Sequence, residues 1–142
     1  MGVIRAQHEE GHEIRLAVGS DEGRMAMPCP VEVVAGLDSR AAADPAALQN
    51  VETAFAPDVI HLHTVVNPAV LEWAAARGAV ITVQDHRYFC PTRGKWTAAG
   101  RVCGEPMSPG ACAACFDDEA YFRDVYALTV ARLAAVRATV RA

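Results

Sequence analysis

The chain has 142 residues, enough for one domain with a sizeable core, and hydrophobic residues make up 52% of it. Charged residues make up 21%, which argues against a disordered or coiled-coil chain. The net charge is −4 without a lysine and arginine cluster, and no apolar run reaches the ~18 residues of a membrane helix. We therefore expect a cytoplasmic protein that binds no nucleic acid.

The first third of the chain alternates short helical and strand patterns. Residues 1–10 predict a helix that Gly11 ends, and residues 12–19 alternate apolar and polar side chains as a strand does. A loop is expected at 20–30 and a short strand at 31–34. Asp44-Pro45 predicts the start of a helix, because Asp caps free N–H groups and Pro suits the first turn. Pro57 ends that helix.

Two apolar runs and a long C-terminal helix complete the predicted fold. Residues 58–63 and 79–83 are typical of buried parallel strands, and the helix between them starts at Asn67-Pro68 and ends at Gly78. The last helix starts at Asp117-Asp118-Glu119, where negative charge is favoured. This order predicts an α/β fold, a single Rossmann-like domain over 1–142 with an open, mostly parallel sheet and crossover helices.

A Cys-rich loop at 87–116 interrupts this pattern, without apolar periodicity. Its cysteines have the spacing C-x12-C-x8-C-x2-C and are Cys90, Cys103, Cys112 and Cys115. The last pair can place two thiolates on one Zn²⁺, and the first two can complete a tetrahedron, so we predict a structural zinc. An iron–sulfur cluster, two disulfides or free thiols are the alternatives. Four thiolates leave no open position for catalysis, and Cys29 is expected to be an ordinary thiol.

Polar residues follow both predicted buried strands, at the edge where open α/β sheets bind ligands. The first strand ends in His61-Leu62-His63-Thr64, which places both imidazoles on one face. They could bind a metal or a substrate; alternatively, His61 packs under a helix and His63 only ends the strand. The second strand leads into Gln84-Asp85-His86-Arg87, where a carboxylate could orient and charge an imidazole. A surface turn is the alternative there.

Other residues of the loop could also contact ligands. An anionic group could bind to Arg93, Gly94 and Lys95, or these residues are a solvated part of the loop. The Trp96 ring either packs over the predicted zinc site or stacks on a sugar. The sequence contains no G-x-G-x-x-G, G-x-x-x-x-G-K-[ST] or G-x-S-x-G motif. This argues against a standard dinucleotide site, a P-loop NTPase and an α/β hydrolase, but not against nucleotide-sugar binding.

Taken together, these segments resemble the N-terminal half of family 4 glycosyltransferases, over nearly the whole chain. The resemblance is carried by GHEI at 11–14, PDVIHLH at 57–63, VITVQDHRYFCP at 80–91, GRVC at 100–103 and CAAC at 112–115. It implies a GT-B enzyme of the hexosyltransferase type that retains anomeric configuration without a catalytic metal. This half would hold a glycan or lipid-linked acceptor, and a second domain would hold the nucleotide-sugar donor. Such a protein would be cytoplasmic or peripheral at the inner membrane face.

The resemblance also assigns roles to individual positions. It implies catalysis by His63, Asp85 and His86, and substrate binding by Thr64, Gln84 and Arg87. Many relatives have His-Asp where this chain has Gln84-Asp85, so His86 would have to compensate. The family's first strand and its donor domain with paired glutamates are not found in the sequence. We therefore expect a fragment that is inactive alone, with an open sheet edge that could drive self-association; the alternative is a small zinc-stapled α/β binding module.

Overall fold

The structure is a computed structural model, and it describes residues 2–20, 26–38, 45–97 and 99–141. This part of the chain forms four short strands, five α-helices and one 3₁₀ turn. The strands are β1 (Leu16–Val18), β2 (Val31–Val33), β3 (His61–His63) and β4 (Val80–Thr82). The helices are α1 (Gly2–Glu9), α2 (Ala46–Phe55), α3 (Pro68–Ala75), α4 (Pro109–Ala113) and α5 (Glu119–Arg141), and a 3₁₀ turn spans His86–Tyr88. The mixed α/β class is confirmed.

The strands pair in parallel, as expected, but in two separate sheets. β1 pairs with β2, and β3 pairs with β4 in a register that sets His63 opposite Thr82. Within the described residues the two pairs are not joined into the single open sheet that the sequence predicted. Apolar periodicity indicates which face of a strand is buried, but it does not determine which neighbour the strand hydrogen-bonds.

One buried cluster nevertheless serves both sheets. Buried residues next to β2, such as Val34, belong to the same cluster as Leu62 in β3 and the inner face of α3. The amide of Asn67 adds a direct link, because its Nδ2 donates to the carbonyl of Gly36 at 3.2 Å. α3 packs on α5, which also contacts the 3₁₀ turn. The core therefore lies directly beneath the polar ends of β3 and β4.

The predicted helix starts are confirmed where the structure describes them. The Asn67 side chain accepts hydrogen bonds from the backbone of Ala69 and Val70 at the start of α3. Asp118 accepts one from Tyr121 at the start of α5, at 2.9 Å. Asp44, the predicted cap of α2, lies outside the described residues. The N-cap position of that helix is Pro45, which makes no side-chain cap hydrogen bond.

The Cys-rich loop is more regular than predicted. Trp96 faces Val102 in an antiparallel bridge, which makes a small hairpin. α4 follows, capped by Ser108, whose hydroxyl accepts a hydrogen bond from the backbone of Ala111. Ser108-Pro109 is the same cap-plus-proline signal as Asn67-Pro68, so the sequence held the information that this helix needs. None of the described residues between 91 and 121 is buried.

No helix within residues 2–20, 26–38, 45–97 and 99–141 combines the length and the apolar character needed to span a bilayer.

Candidate functional site

The carboxyl ends of β3 and β4 bring three predicted site residues together. Because the two strands are parallel and in register, the residues that follow them lie at the same sheet edge. The Thr64 hydroxyl donates to Oε1 of Gln84 at 2.6 Å, and Nε2 of Gln84 lies 3.4 Å from Nδ1 of His63. We call His63, Thr64 and Gln84 the strand rim.

The two histidines of β3 share a face, as their spacing predicted. Their ring centroids are 4.0 Å apart, and Nε2 of His61 lies 2.7 Å from the Thr82 hydroxyl across the sheet. His61 is exposed, so the alternative that it packs beneath a helix is wrong. The pair presents two imidazoles beside the strand rim.

His63 is held in the neutral form more firmly than a free histidine. Burial lowers the pKa of the His63 imidazole, and repulsion from His61 lowers it further. A neutral ring whose Nδ1 accepts from the Gln84 amide carries its proton on Nε2. The strand rim then offers an N–H, a hydroxyl and an amide, which are the groups that bind the hydroxyls of a polar ligand.

The backbone after β3 is strained, and buried side chains hold it through hydrogen bonds. Thr64 has φ 56°, a left-handed conformation that a β-branched residue rarely adopts. The next two carbonyls are both bound: the Tyr88 hydroxyl donates to Val65, and Nε of Arg132 donates to Val66 at 2.5 Å. Burial raises the pKa of the Tyr88 phenol, which keeps it protonated as a donor. These contacts fix the turn that carries Thr64.

Sequence reasoning did not identify Tyr88 and Arg132 as supports of the site. Tyr88 is 1% exposed and Arg132 is 4% exposed. Arg132 lies three residues after the buried Thr129 and four before Val136, which packs on the core, and these spacings put all three on one face of α5. Helical spacing was thus the available signal, and it points to a buried guanidinium that needs a carbonyl partner.

Asp85 is bound by Arg87 and not by an imidazole. Its carboxylate accepts hydrogen bonds from the Arg87 backbone at 2.8 Å and from the Arg87 guanidinium, through Nε at 2.9 Å and through Nη2. These hydrogen bonds lower the pKa of Asp85, and the same pairing raises the pKa of Arg87. Asp85 therefore caps the 3₁₀ turn as a stable carboxylate.

His86 lies against the Cys-rich loop. A Cβ added at Gly94, which has φ +63°, would meet the His86 ring atoms Cγ and Nδ1 at 3.4 Å. The His86 carbonyl also accepts the backbone N–H of Cys90 at 2.7 Å. The six predicted catalytic and substrate-binding residues thus form two groups: the strand rim, and a turn group of Asp85, His86 and Arg87.

The four cysteines of the loop line one small cavity of about 20 Å³, together with Phe89, Trp96 and Met107. All of them are free thiols, so the two-disulfide alternative does not describe this structure. Among the described residues, no three His, Cys, Asp or Glu side chains lie close enough together to hold a metal ion. The thiols therefore surround a common space without forming a closed coordination shell.

Cys90 is the most enclosed of these thiols. Burial raises the pKa of the Cys90 thiol, but backbone N–H groups of residues 92–95 point at its sulfur and bring the pKa below its ordinary value. The Lys95 N–H lies 3.3 Å from Cys90 Sγ, and the Lys95 ammonium lies 3.9 Å from Cys103 Sγ. This environment favours a thiolate, the form that binds metals.

A larger cavity of about 320 Å³ lies away from both groups, between α1 and residues 26–28. It is lined by Arg5, His8, Glu9, Ala26, Met27 and Pro28. None of these residues belongs to the strand rim, the turn group or the cysteine cavity. The larger cavity therefore contains none of the predicted site residues.

Comparison with known proteins brings up no matching family model, no similar curated protein and no similar solved structure. The function is therefore argued from the residues of this chain and their geometry.

Proposed function

We propose that this chain is the acceptor-side part of a retaining glycosyltransferase of the GT-B type, with a Rossmann-like domain. The observation that carries this is the hydrogen-bonded strand rim of His63, Thr64 and Gln84 at the carboxyl edge of two parallel strands. This is the edge at which open α/β sheets bind ligands. The nucleotide-sugar donor would bind to a second domain, and the acceptor would be a glycan or a lipid-linked sugar.

The chemistry of the strand rim suits a sugar. Sugar hydroxyls both donate and accept hydrogen bonds, and the neutral imidazole, hydroxyl and amide offer both kinds of partner. In this proposal His63 contacts the reacting hydroxyl, while Thr64 and Gln84 orient it. In this proposal the turn group of Asp85, His86 and Arg87, which follows Gln84 directly in the chain, faces the donor side.

Saturation-transfer NMR on this chain tests sugar binding directly. Methyl glucoside, galactoside and mannoside at millimolar concentration serve as probes. Saturation transfer is measured on the sugar signals, and chemical-shift changes are measured on the imidazole and amide signals of His63 and Gln84. We expect at least one sugar to perturb both residues and His63→Ala to abolish its transfer signal. His12→Ala, an exposed matched control, should leave the signal unchanged. Sugars that perturb neither residue, or that bind His63→Ala equally well, contradict the proposal.

We further propose that the cysteine cavity binds a structural zinc through Cys90, Cys103, Cys112 and Cys115. Four free thiols around one cavity and the N–H groups directed at Cys90 support this site. Zinc binding would have to draw the thiols closer together than they lie here, since no three of the described candidate ligands are within reach of one metal ion. Bound zinc would supply folding free energy to a loop whose described residues from 91 to 116 are not buried. The cysteines would hold it, and no step of sugar transfer depends on it.

Metal analysis of anaerobically purified protein tests the zinc site. About one zinc per chain is expected for a single four-thiolate site. Cys112→Ser should lose the metal, whereas Cys29→Ser, which changes the thiol outside the loop, should keep it. Four titratable loop thiols and no metal would reject the site.

A second candidate function is a zinc-stapled α/β binding module without catalysis. The gathering of four thiols around one cavity favours it, because a stapled loop can serve as a binding surface by itself. Zinc binding without any sugar effect at His63 selects this candidate over the transferase.

A further inference from the structure

His61 has no role in the proposed sugar site, yet it lies against His63. The two ring centroids are 4.0 Å apart, and the ring planes are inclined by 39°. His61 is exposed and His63 is half-buried, so solvent reaches both rings. Because Leu62 between them is buried, the two imidazoles stand on the open face of β3. A dissolved ion can therefore approach both rings at once.

A side chain from the neighbouring strand region holds each ring through one nitrogen. The Thr82 hydroxyl lies 2.7 Å from Nε2 of His61, and Nε2 of Gln84 lies 3.4 Å from Nδ1 of His63. Thr82 is the last residue of β4, and Gln84 follows two residues later. Within the described residues, Nδ1 of His61 and Nε2 of His63 make no hydrogen bond. Each ring therefore keeps one nitrogen for a ligand.

Two adjacent imidazoles suit a late first-row transition metal better than other ions. The metal–nitrogen distance of about 2.0–2.1 Å puts two nitrogens of a tetrahedral ion about 3.3 Å apart. Rings with centroids 4.0 Å apart reach this separation through small side-chain rotations. Mg²⁺ and Ca²⁺ prefer oxygen ligands, so they would gain little from the pair. An anion would require both imidazoles to be protonated, and two positive rings at this distance repel each other.

We propose that His61 and His63 bind one divalent transition-metal ion, of the Ni²⁺, Cu²⁺ or Zn²⁺ type, on the open face of β3. Nδ1 of His61 and Nε2 of His63 are the ligands, and water completes the coordination sphere. Among the described residues no third His, Cys, Asp or Glu joins them, so the ion stays open to exchange with solvent. The site shares no residue with the cysteine cavity, and it does not rest on sugar transfer, although His63 also belongs to the strand rim.

The hydrogen bonds around the pair can adapt to a bound ion. His61 keeps its proton on Nε2, where the Thr82 hydroxyl accepts it, and Nδ1 has a lone pair for the metal. In His63 the ring proton moves to Nδ1, and a half-turn of the Gln84 amide presents Oε1 as its acceptor. The Thr64 hydroxyl then accepts from the turned amide instead of donating to it. Each ring thus has an orienting partner on one nitrogen and the ion on the other, which is the usual arrangement of metal-binding histidines.

Imidazole NMR with Ni²⁺, on protein without an affinity tag, tests where the ion binds. The chain has five histidines, so His8, His12 and His86 serve as internal controls in the same sample. We expect sub-stoichiometric Ni²⁺ to broaden the ring signals of His61 and His63 before those of the other three. Mg²⁺ at the same concentration should leave all of these signals unchanged.

Calorimetric titration with Ni²⁺ measures what each side chain contributes to the affinity. Loss of an orienting partner costs about 10–100-fold in metal affinity, so Thr82→Val should weaken binding about tenfold, and His61→Ala or His63→Ala should weaken it further. His12→Ala, which removes an exposed histidine outside the pair, should bind Ni²⁺ as the unaltered protein does. Circular dichroism must show each variant folded, and His61→Ala changes only an exposed side chain.

Three results would overturn the proposal. The first is broadening of another histidine as early as that of the pair. The second is a folded His61→Ala variant that binds Ni²⁺ as tightly as the unaltered protein. The third is Ni²⁺ binding that alkylation of the loop thiols abolishes, which would place the ion in the cysteine cavity. Because His61→Ala keeps His63, the sugar measurement on this variant separates a failure of the metal site from a failure of the transferase proposal.

Discussion

The strand rim and the Cys-rich loop are neighbours in the chain, yet different forces hold them. The strand rim lies on a buried apolar cluster in which Leu71 is 0% exposed and Leu62 5%. The described residues from 91 to 121 add no buried side chain. Burial contributes about 25 cal/mol per Å² of apolar surface, so it stabilises the first region and hardly the second.

This contrast shows where positional precision comes from in a small α/β chain. Thr64 can hold a strained backbone because packed neighbours bind the following carbonyls of Val65 and Val66. The Cys-rich loop has a short hairpin, a five-residue helix and four thiols. In the proposed zinc site, metal–thiolate bonds would supply stabilisation that does not depend on buried apolar area.

Chelation should separate the two regions most clearly. Structural zinc binds with an apparent free energy of roughly 10–16 kcal/mol, so its removal should leave residues 90–115 without protection. Hydrogen exchange measured with and without a strong chelator should show faster exchange there and unchanged protection in β3 and α3. Equal loss of protection in α3 would show that the two regions fold as one unit.

Replacing Arg132 should test the support beneath the strand rim. Arg132→Met removes a charged donor from the buried carbonyl of Val66, and we expect a loss of about 2–4 kcal/mol in the free energy of unfolding. Arg137→Met, at an exposed position of the same helix, should change it by less than about 0.5 kcal/mol. Urea denaturation measures both; similar midpoints for the two variants would contradict the supporting role.

The two cap-plus-proline signals offer a matched comparison between the regions. Asn67→Ala removes two cap hydrogen bonds and the link to Gly36, so it should cost about 2 kcal/mol of global stability. Ser108→Ala removes one cap from a short exposed helix and should cost about 0.5–1 kcal/mol, seen mainly as faster exchange in α4. A larger global effect for Ser108→Ala would reverse the comparison.

The smallest expected effect is a pH dependence at the turn group. Because Arg87 lowers the folded-state pKa of Asp85, this carboxylate stabilises the fold above its unfolded pKa of about 3.9, and the contribution disappears as pH falls through the folded value. The free energy gap between the unaltered protein and Asp85→Asn should therefore shrink between pH 7 and pH 2.5. A gap that stays constant across urea titrations at these pH values would contradict the pairing.

The sequence predicted where helices and strands lie better than it predicted which of them pair or pack together. Strand ends and the Asn67 and Asp118 caps depend on nearby residues, and periodicity and cap chemistry report these. The split into two sheets, the burial of Arg132 and the Tyr88 hydrogen bond depend on contacts distant in sequence, which a local pattern cannot determine. The Ser108 helix was missed for a different reason, because cysteine and glycine spacing outweighed a valid cap signal.

Tyr88 links the strand rim to the Cys-rich loop. It lies between Gln84 and Cys90 in the chain, is almost fully enclosed, and binds the turn that carries Thr64. The chain between the strand rim and the cysteine cavity therefore cannot shift without withdrawing this ring from the interior. By thermodynamic linkage, if a ligand at the strand rim changes the affinity of a ligand at the cysteine cavity through Tyr88, the second ligand changes the affinity of the first by the same factor.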